Sequence, residues 1–234
     1  MANVAHMNWM EVEDYLQFDN RCVLPLGSTE QHAYLSLATD ALLAERVSLD
    51  AAEPLGVPVF PVIPYGVAPY FTGYPGTISI SVATYVTLVN EVLENLFRSG
   101  FRRILIVSGH GGNAPAGHAA LDWMAFRPEA QVRFHEWWRA PRTAARVREI
   151  DEVFGHASWM EAFPWTRVKG VSPPAEPKPP IDGSRRALMS PEEVRVYLGD
   201  GNFGGDYSKP DELMDTLWTV AVEETRELLE EGWG

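Results

Sequence analysis

A single cysteine in 234 residues rules out an internal disulfide. That residue, Cys22, stands in an apolar run, and an unpaired thiol of this kind suits a reducing cytoplasm. Long hydrophobic runs are missing too: nothing approaches the roughly 18 apolar residues of a membrane-spanning helix. The opening residues Met1 to His6 lack the basic and apolar stretches of a signal peptide. Positive charge is scarce. There are 19 Lys and Arg against 32 Asp and Glu, and the net charge of −13 argues against nucleic acid or an anionic membrane as partner. The glycine-rich stretch at 109–113 has neither the lysine of a P-loop nor the spacing of a dinucleotide fingerprint, so it does not read as a nucleotide site. No internal repeat is present.

A chain of this length can bury one full core, and residues 1–234 are read as a single domain. Apolar, β-prone runs at Cys22–Leu26, Val57–Ile63, Ile104–Ser108 and Val132–Glu136 alternate with helical segments at Asp40–Ala52, Thr84–Arg98 and Ala114–Phe126. The alternation predicts an α/β fold, a three-layer sandwich with a mostly parallel central sheet and helices on both faces. Gly100 supplies a stop signal after Arg98, Ser190-Pro191 starts a further helix, and Asp211–Glu231 reads as a long amphipathic C-terminal helix. Residues 171–183 are too proline-rich for regular structure. They form either a flexible surface loop or an arm that packs on a neighbouring subunit. The loop Gly204 to Tyr207 is expected to be flexible and able to cover a site.

Three segments concentrate side chains that bind metals. Glu30 and His32 follow the first strand candidate two residues apart, and on an extended segment such neighbours point the same way. Asp40 arrives at the start of the next helix. Carboxylate, imidazole and carboxylate suit zinc, manganese or iron. His110 ends the third strand candidate inside Gly109-His110-Gly111-Gly112-Asn113, and the carboxyl ends of parallel strands are where ligands bind. His156 and Glu161 cannot share one helical face at a spacing of five residues. The expected arrangement has His156 on an entry turn and Glu161 one turn inside a helix.

Taken together, Gly27-Ser28-Thr29-Glu30-Gln31-His32 with Thr39-Asp40, the Gly109–Asn113 run, and Gly155-His156-Ala157 with Glu161 resemble the creatininase (creatinine amidohydrolase) family, in the family's order. A fourth stretch, Pro64-Tyr65-Gly66 through Tyr74-Pro75-Gly76-Thr77-Ile78-Ser79, resembles it as well. The resemblance implies a two-metal hydrolase that is often a homohexamer. It further implies that Asp40 bridges two divalent ions (Zn²⁺ or Mn²⁺, with Fe²⁺ possible), Glu30 and His110 hold one, and His32 and Glu161 hold the other. Two departures bear on substrate. Ala33-Tyr34-Leu35-Ser36 stands where relatives commonly carry a further histidine, and Gly111-Gly112 stands where true creatininases have tyrosine and glutamate. The chain therefore resembles a divergent member that handles creatinine poorly.

Three carboxylates and a hydroxide would balance two divalent cations, which a low-dielectric pocket tolerates far better than unpaired charge. His156 is the candidate proton shuttle, with an imidazole that titrates near neutrality; the alternative is a core histidine with a satisfied hydrogen bond. Backbone N–H groups at Gly111 and Gly112 are candidate oxyanion donors. Tyr34 is placed beside His32, and Tyr70, Tyr74, Trp138 and Trp159 could wall a small planar substrate. His118 and His135 read as structural. The expected reaction is hydrolysis of a C–N bond in a cyclic amide or formamide. Hydrolytic C–C opening of a cyclic ketone, of keto-inositol type, and a silent binding or scaffold subunit stay open as alternatives.

Overall fold

Three parallel strands form the sheet, β1 (Arg21–Leu26), β2 (Arg103–Ser108) and β3 (Gln131–Glu136), in that spatial order. The computed structural model describes residues 2–233; Met1 and Gly234, the two ends of the expected 1–234 domain, lie outside them. Arg21 pairs with Arg103 and Leu26 with Ser108, while Ser108 faces Glu136 on the other side. All three strands therefore end at one edge, and the segments that follow β1 and β2 emerge side by side. That edge carries the ligand-type residues.

Alternation along the strands builds two cores. Val23, Leu105 and Val107 pack with helices α2 (Thr39–Ala52), α5 (Pro141–Ile150) and α7 (Asp211–Glu231) on one face. Cys22, Leu24, Ile104 and Ile106 pack with α3 (Val82–Ser99) and α4 (Ala114–Ala125) on the other. β1 and β2 are buried on both faces, so they read in the sequence as unbroken apolar runs. This is the expected three-layer arrangement. A third cluster joins Phe71 and Tyr74 to Val194 and Leu198 of α6 (Pro191–Leu198). Two helices escape the sequence reading, α1 (Trp9–Tyr15) and α5. Both are short, at seven and ten residues, and too few turns leave little periodicity to see.

Residues 57–63 differ from expectation. They lie along the free edge of β1 and exchange hydrogen bonds with it, Val23 donating to Pro58, Phe60 to Val23, and Ile63 to Pro25. Only isolated bridges form, at Val59 and Ile63, and no continuous strand. Pro58 and Pro61 have no N–H to donate, which breaks the ladder and confines the segment to an edge.

Helix ends obey local chemistry. Gly100 closes α3 at φ +117°, a backbone region that favours glycine. Ser190 caps α6 in a reciprocal pair with Glu193. The proline-rich segment is held by its own chain: Lys178 exchanges backbone hydrogen bonds with Gly205, Ile181 N–H donates to Phe203, and the Lys178 ammonium reaches Leu198 O and Asp200. These bonds also tether the glycine loop at 204–207, so that loop is fastened rather than free.

Candidate metal centre

β1 stops at Leu26, and Glu30 and His32 lie beyond it in irregular backbone rather than on the strand. The alternation argument for pairing them therefore fails. Their convergence comes from tertiary contacts. Glu30 N–H donates to Leu37 O, Gln31 N–H donates to Thr77 Oγ1, and Ala33 adopts φ +49° to turn the chain back. Asp40 occupies the first turn of α2, where the helix dipole favours a carboxylate. Gly109, just past β2, allows the close approach to this turn, since a Cβ there would run into the Asp40 carbonyl.

Two triads result. Glu30, Asp40 and His110 form one, and His32, Asp40 and Glu161 the other, with the ligand atoms of each within 4.8 Å of one another. Asp40 belongs to both. Its Oδ2 lies 3.0 Å from His110 Nδ1, and its Oδ1 lies 3.0 Å from His32 Nε2. Glu30 Oε1 is 3.3 Å from His110 Nδ1, and Glu161 Oε2 is 3.8 Å from His32 Nε2. A third grouping adds His156 to Glu30 and His32.

The remaining nitrogen of each histidine is pinned by backbone. His110 Nε2 donates to Val67 O at 3.0 Å, and His32 Nδ1 donates to Glu30 O at 3.1 Å. Such outer bonds fix the tautomer and aim the free nitrogen inward, as metal-binding histidines require. Ser28 Oγ donates to Asp40 Oδ2 at 2.7 Å, and Ala157 N–H donates to Glu161 Oε2 at 2.6 Å. Both Glu30 carboxylate oxygens and His32 Nε2 are buried without a hydrogen-bond partner, although His32 lies close to Asp40. Buried polar atoms are rarely left so. Orphaned acceptors converging from two sides fit a bound divalent cation.

Titration follows from the crowding. Burial alone would push the His32 imidazole down, but Asp40, Glu161 and Glu30 carry it up to about 10. Burial likewise opposes charge on His110, yet Glu30 and Asp40 raise it well above the usual value. Burial favours a neutral Asp40, which His32 and His110 override to hold it below the usual carboxylate range. Glu161 is raised by burial to about 7, and Glu30 is raised by burial against the pull of His110. Protons thus take the place of cations when the ligands have none.

A pH signature of the metal-free protein follows. A folded-state value raised above the unfolded one contributes stability that is complete below the unfolded value and lost as pH rises through the folded one. For His32 that window runs from 6.5 to about 10, and for Glu161 from 4.5 to about 7. Chelated protein should therefore melt at falling temperature between about pH 5 and about pH 10. Metal-loaded protein should not, because metal competes with protons for the same atoms. Thermal melts with EDTA and with manganese test this, and parallel curves would contradict it.

His156 lies half-buried beside the triads. Its Nδ1 lies 3.7 Å from Glu30 Oε1, and its Nε2 lies 2.9 Å from Gln31 O and 2.8 Å from Gln31 Nε2. The ring stacks on Phe71 at 4.7 Å. Burial, followed by the neighbouring His32, pushes its pKa well below the ordinary value, so it is neutral rather than poised near neutrality as the sequence suggests. Glu161 sits on a three-residue 3-10 turn, Trp159–Glu161, and not inside an α-helix. Ala157, at φ +60°, makes the tight turn that joins His156 to it.

A cavity of about 530 Å³ opens onto the cluster and is lined by Glu30, Asp40, His110, Gly111, His156 and Glu161. Tyr70 and Trp138 wall it as expected, with Phe71 and Phe203 beside them. Four expected contacts are elsewhere. Trp159 is fully buried in the core, where its Nε1 donates to Val153 O. Tyr34 packs edge-on against Tyr207 and lines a separate cavity of about 160 Å³. Gly112 backs onto Val67 O and the His110 ring instead of facing the cavity. Tyr74 is buried, and its hydroxyl donates to Gly199 O. His135 hydrogen-bonds Thr225 and is pushed down to about 4 by burial, in keeping with a structural role. The sequence reading missed Gln31, whose only signal was its place between Glu30 and His32. It also missed Phe71, Phe203, Arg148 and Arg186, which carry no local signal.

Comparison with known proteins places this geometry. The family model for creatinine amidohydrolase (creatininase) matches residues 5–229. A mycofactocin precursor peptide peptidase of Mycolicibacterium smegmatis is 38% identical over 111 residues, 44% of this chain and 44% of that protein. The match thus spans under half the length of this relative. A 3-dehydro-scyllo-inosose hydrolase of Thermotoga maritima is 28% identical over 217 residues, covering 83% of this chain and 68% of that one. A solved structure described as "Creatininase Mn" superposes with a TM-score of 0.80 at 23% identity, over 99% of this chain and 98% of its own. At that identity the likeness carries the fold, while the family match runs across nearly the whole sequence: this chain belongs to the creatininase family.

Proposed function

We propose that this protein is a two-metal hydrolase of amide C–N bonds. One observation carries the reading: the two oxygens of Asp40 face different histidines, each within a separate triad of ligand atoms. Glu30, Asp40 and His110 would hold one divalent cation, and His32, Asp40 and Glu161 the other, in one domain spanning 1–234. Bound there, zinc or manganese would supply Lewis acidity and lower the pKa of water from about 15.7 toward neutrality.

The chain's own groups supply the rest. His156 starts neutral, with Gln31 holding Nε2 and with Nδ1 directed toward Glu30, so it can accept a proton from water. The same imidazolium then returns that proton to the departing nitrogen. Phe71 and Phe203 flank the ring and keep water from its faces. Gly111 N–H remains the candidate oxyanion donor, because Gly111 lines the cavity.

Metal analysis together with an amide panel tests the reading. Purified protein reconstituted with manganese or zinc should approach two ions per chain and hydrolyse some member of a cyclic amide, formamide and short peptide series. Full occupancy with activity on oxidised inositols alone would favour the C–C reading, which the long alignment to the Thermotoga maritima hydrolase supports. No metal uptake and no turnover would leave a binding subunit. Assembly as a homohexamer belongs to the same proposal, and sedimentation of the metal-loaded protein checks it.

Creatinine should be a poor substrate, with kcat/KM below about 10⁴ M⁻¹s⁻¹. The glutamate of true creatininases cannot be restored here by one substitution. A Cβ at position 112 would collide with Val67 O and the His110 ring, whereas position 111 has open space, with Trp138 as the nearest neighbour at 4.0 Å. Gly112→Glu should therefore damage the His110 position rather than confer creatinine turnover. Steady-state assays of wild type and variant decide it, and efficient turnover by either would overturn the argument.

A further inference from the structure

The cavity beside the metal-type cluster carries a concentration of positive charge in a strongly acidic chain. Of the 19 basic residues, Arg139, Arg148 and Arg186 line it, while its carboxylates are only Glu30, Asp40 and Glu161. With those three carboxylates committed to cations, the guanidinium groups are the uncompensated charge. Arg139 is paired with Glu136 at 3.0 Å and is discounted. Arg148, on α5, and Arg186, in the 3-10 turn Gly183–Leu188, make no ion pair among the described residues.

Arg186 is the better placed of the two. Its guanidinium lies over the rings of Tyr70 at 4.8 Å and Phe203 at 5.4 Å, both of which line the same cavity. One Nη1 N–H donates to Gly183 O, which fixes the fork while leaving its other donors without a protein acceptor. A guanidinium oriented by aromatic faces and short of acceptors matches a planar anion, which it can bind through two parallel hydrogen bonds. Its half-buried position reduces competition from water and salt.

We propose that this cavity selects substrates that carry a carboxylate remote from the bond to be cleaved, with Arg186 binding the carboxylate and Arg148 adding attraction. The proposal rests on the metal-hydrolase reading above and deepens it: the substrate is an anionic amide rather than a neutral ring. Binding energy at Arg186 then fixes the distance from the carboxylate to the scissile group.

Hydroxamic acids separate the two layers, because the hydroxamate head reports on the metals and the tail on Arg186. The manganese-loaded full chain is titrated calorimetrically with the monohydroxamates of succinic, glutaric and adipic acids, and with neutral alkyl hydroxamates of equal length. At least one acidic member should bind about 10-fold or more tighter than its neutral partner. Arg186→Met should erase that preference while leaving neutral hydroxamate affinity within about 2-fold, and Arg186→Lys should keep part of it. Arg148→Met, on an exposed helical position, should weaken the preference and its salt dependence without disturbing the fold. Equal affinity for acidic and neutral members, or a preference that survives both methionine variants, overturns the anion subsite alone. Failure of every hydroxamate to bind metal-loaded wild type overturns the hydrolase reading and the subsite with it.

Discussion

Asp40→Ala is expected to empty both metal positions at once and to abolish turnover, whereas loss of a ligand confined to one triad should spare the other ion. The reason is geometric. Asp40 is the one carboxylate whose two oxygens serve two triads, 3.0 Å from His32 on one side and 3.0 Å from His110 on the other. Without it, two buried imidazoles lose their shared partner, and the remaining carboxylates, Glu30 and Glu161, hold separate sides. Chelation of wild type should reproduce the loss of activity. A ligand that binds only the folded state at about 100 times its Kd contributes about 2.7 kcal/mol. For a domain of this size each kcal/mol moves Tm by roughly 2–4 °C, so removing metal should lower Tm by about 5–11 °C. Manganese or zinc should restore both properties in wild type and neither in Asp40→Ala. Elemental analysis and paired melting curves measure this; an active, fully chelated protein would remove the basis of the mechanism.

His156→Ala should behave differently, keeping its metal while kcat falls by about 10²-fold or more, the usual size of an acid–base contribution. Its Nε2 is engaged by Gln31, and only Nδ1 looks toward Glu30, at 3.7 Å, against 3.3 Å for the closer His110. Of the three histidines at the cluster it is therefore the one least engaged as a ligand and best placed to carry protons. Because burial and His32 hold it neutral, any ascending limb of the kcat profile that is due to His156 should lie below the ordinary histidine value. Gln31→Ala, which removes the side-chain amide beside Nε2 but keeps the backbone carbonyl to which Nε2 is bonded, should reduce kcat less than His156→Ala does and leave metal content intact. If His156→Ala loses metal as Asp40→Ala does, the grouping of His156 with Glu30 and His32 is the true ligand set and the shuttle assignment falls.

Local pattern made the sheet and most helices legible. The runs at 22–26 and 104–108 are apolar throughout because both faces of those strands are covered, and α7 begins and ends where its amphipathic period does. The candidate ligand residues stood out in the sequence too, because metal chemistry restricts which side chains can serve and the motifs keep them in short, ordered groups. The route by which they meet was not. Glu30 and His32 converge through hydrogen bonds to Leu37 and Thr77 rather than through strand alternation, and Glu161 reaches the pocket from a 3-10 turn.

The cavity wall escaped the sequence for a related reason. Trp159 and Tyr34 sit next to ligands in the chain yet point into the core and into a second cavity, while Arg148, Arg186 and Phe203 come from elements far from any motif. The sequence by itself determined the α/β layering and the identity of the candidate ligands, since hydrophobic period and donor chemistry are local properties. Only the tertiary structure decided which side chains face the ligands and which face the core, because the direction of a side chain leaving irregular backbone is set by contacts with distant segments.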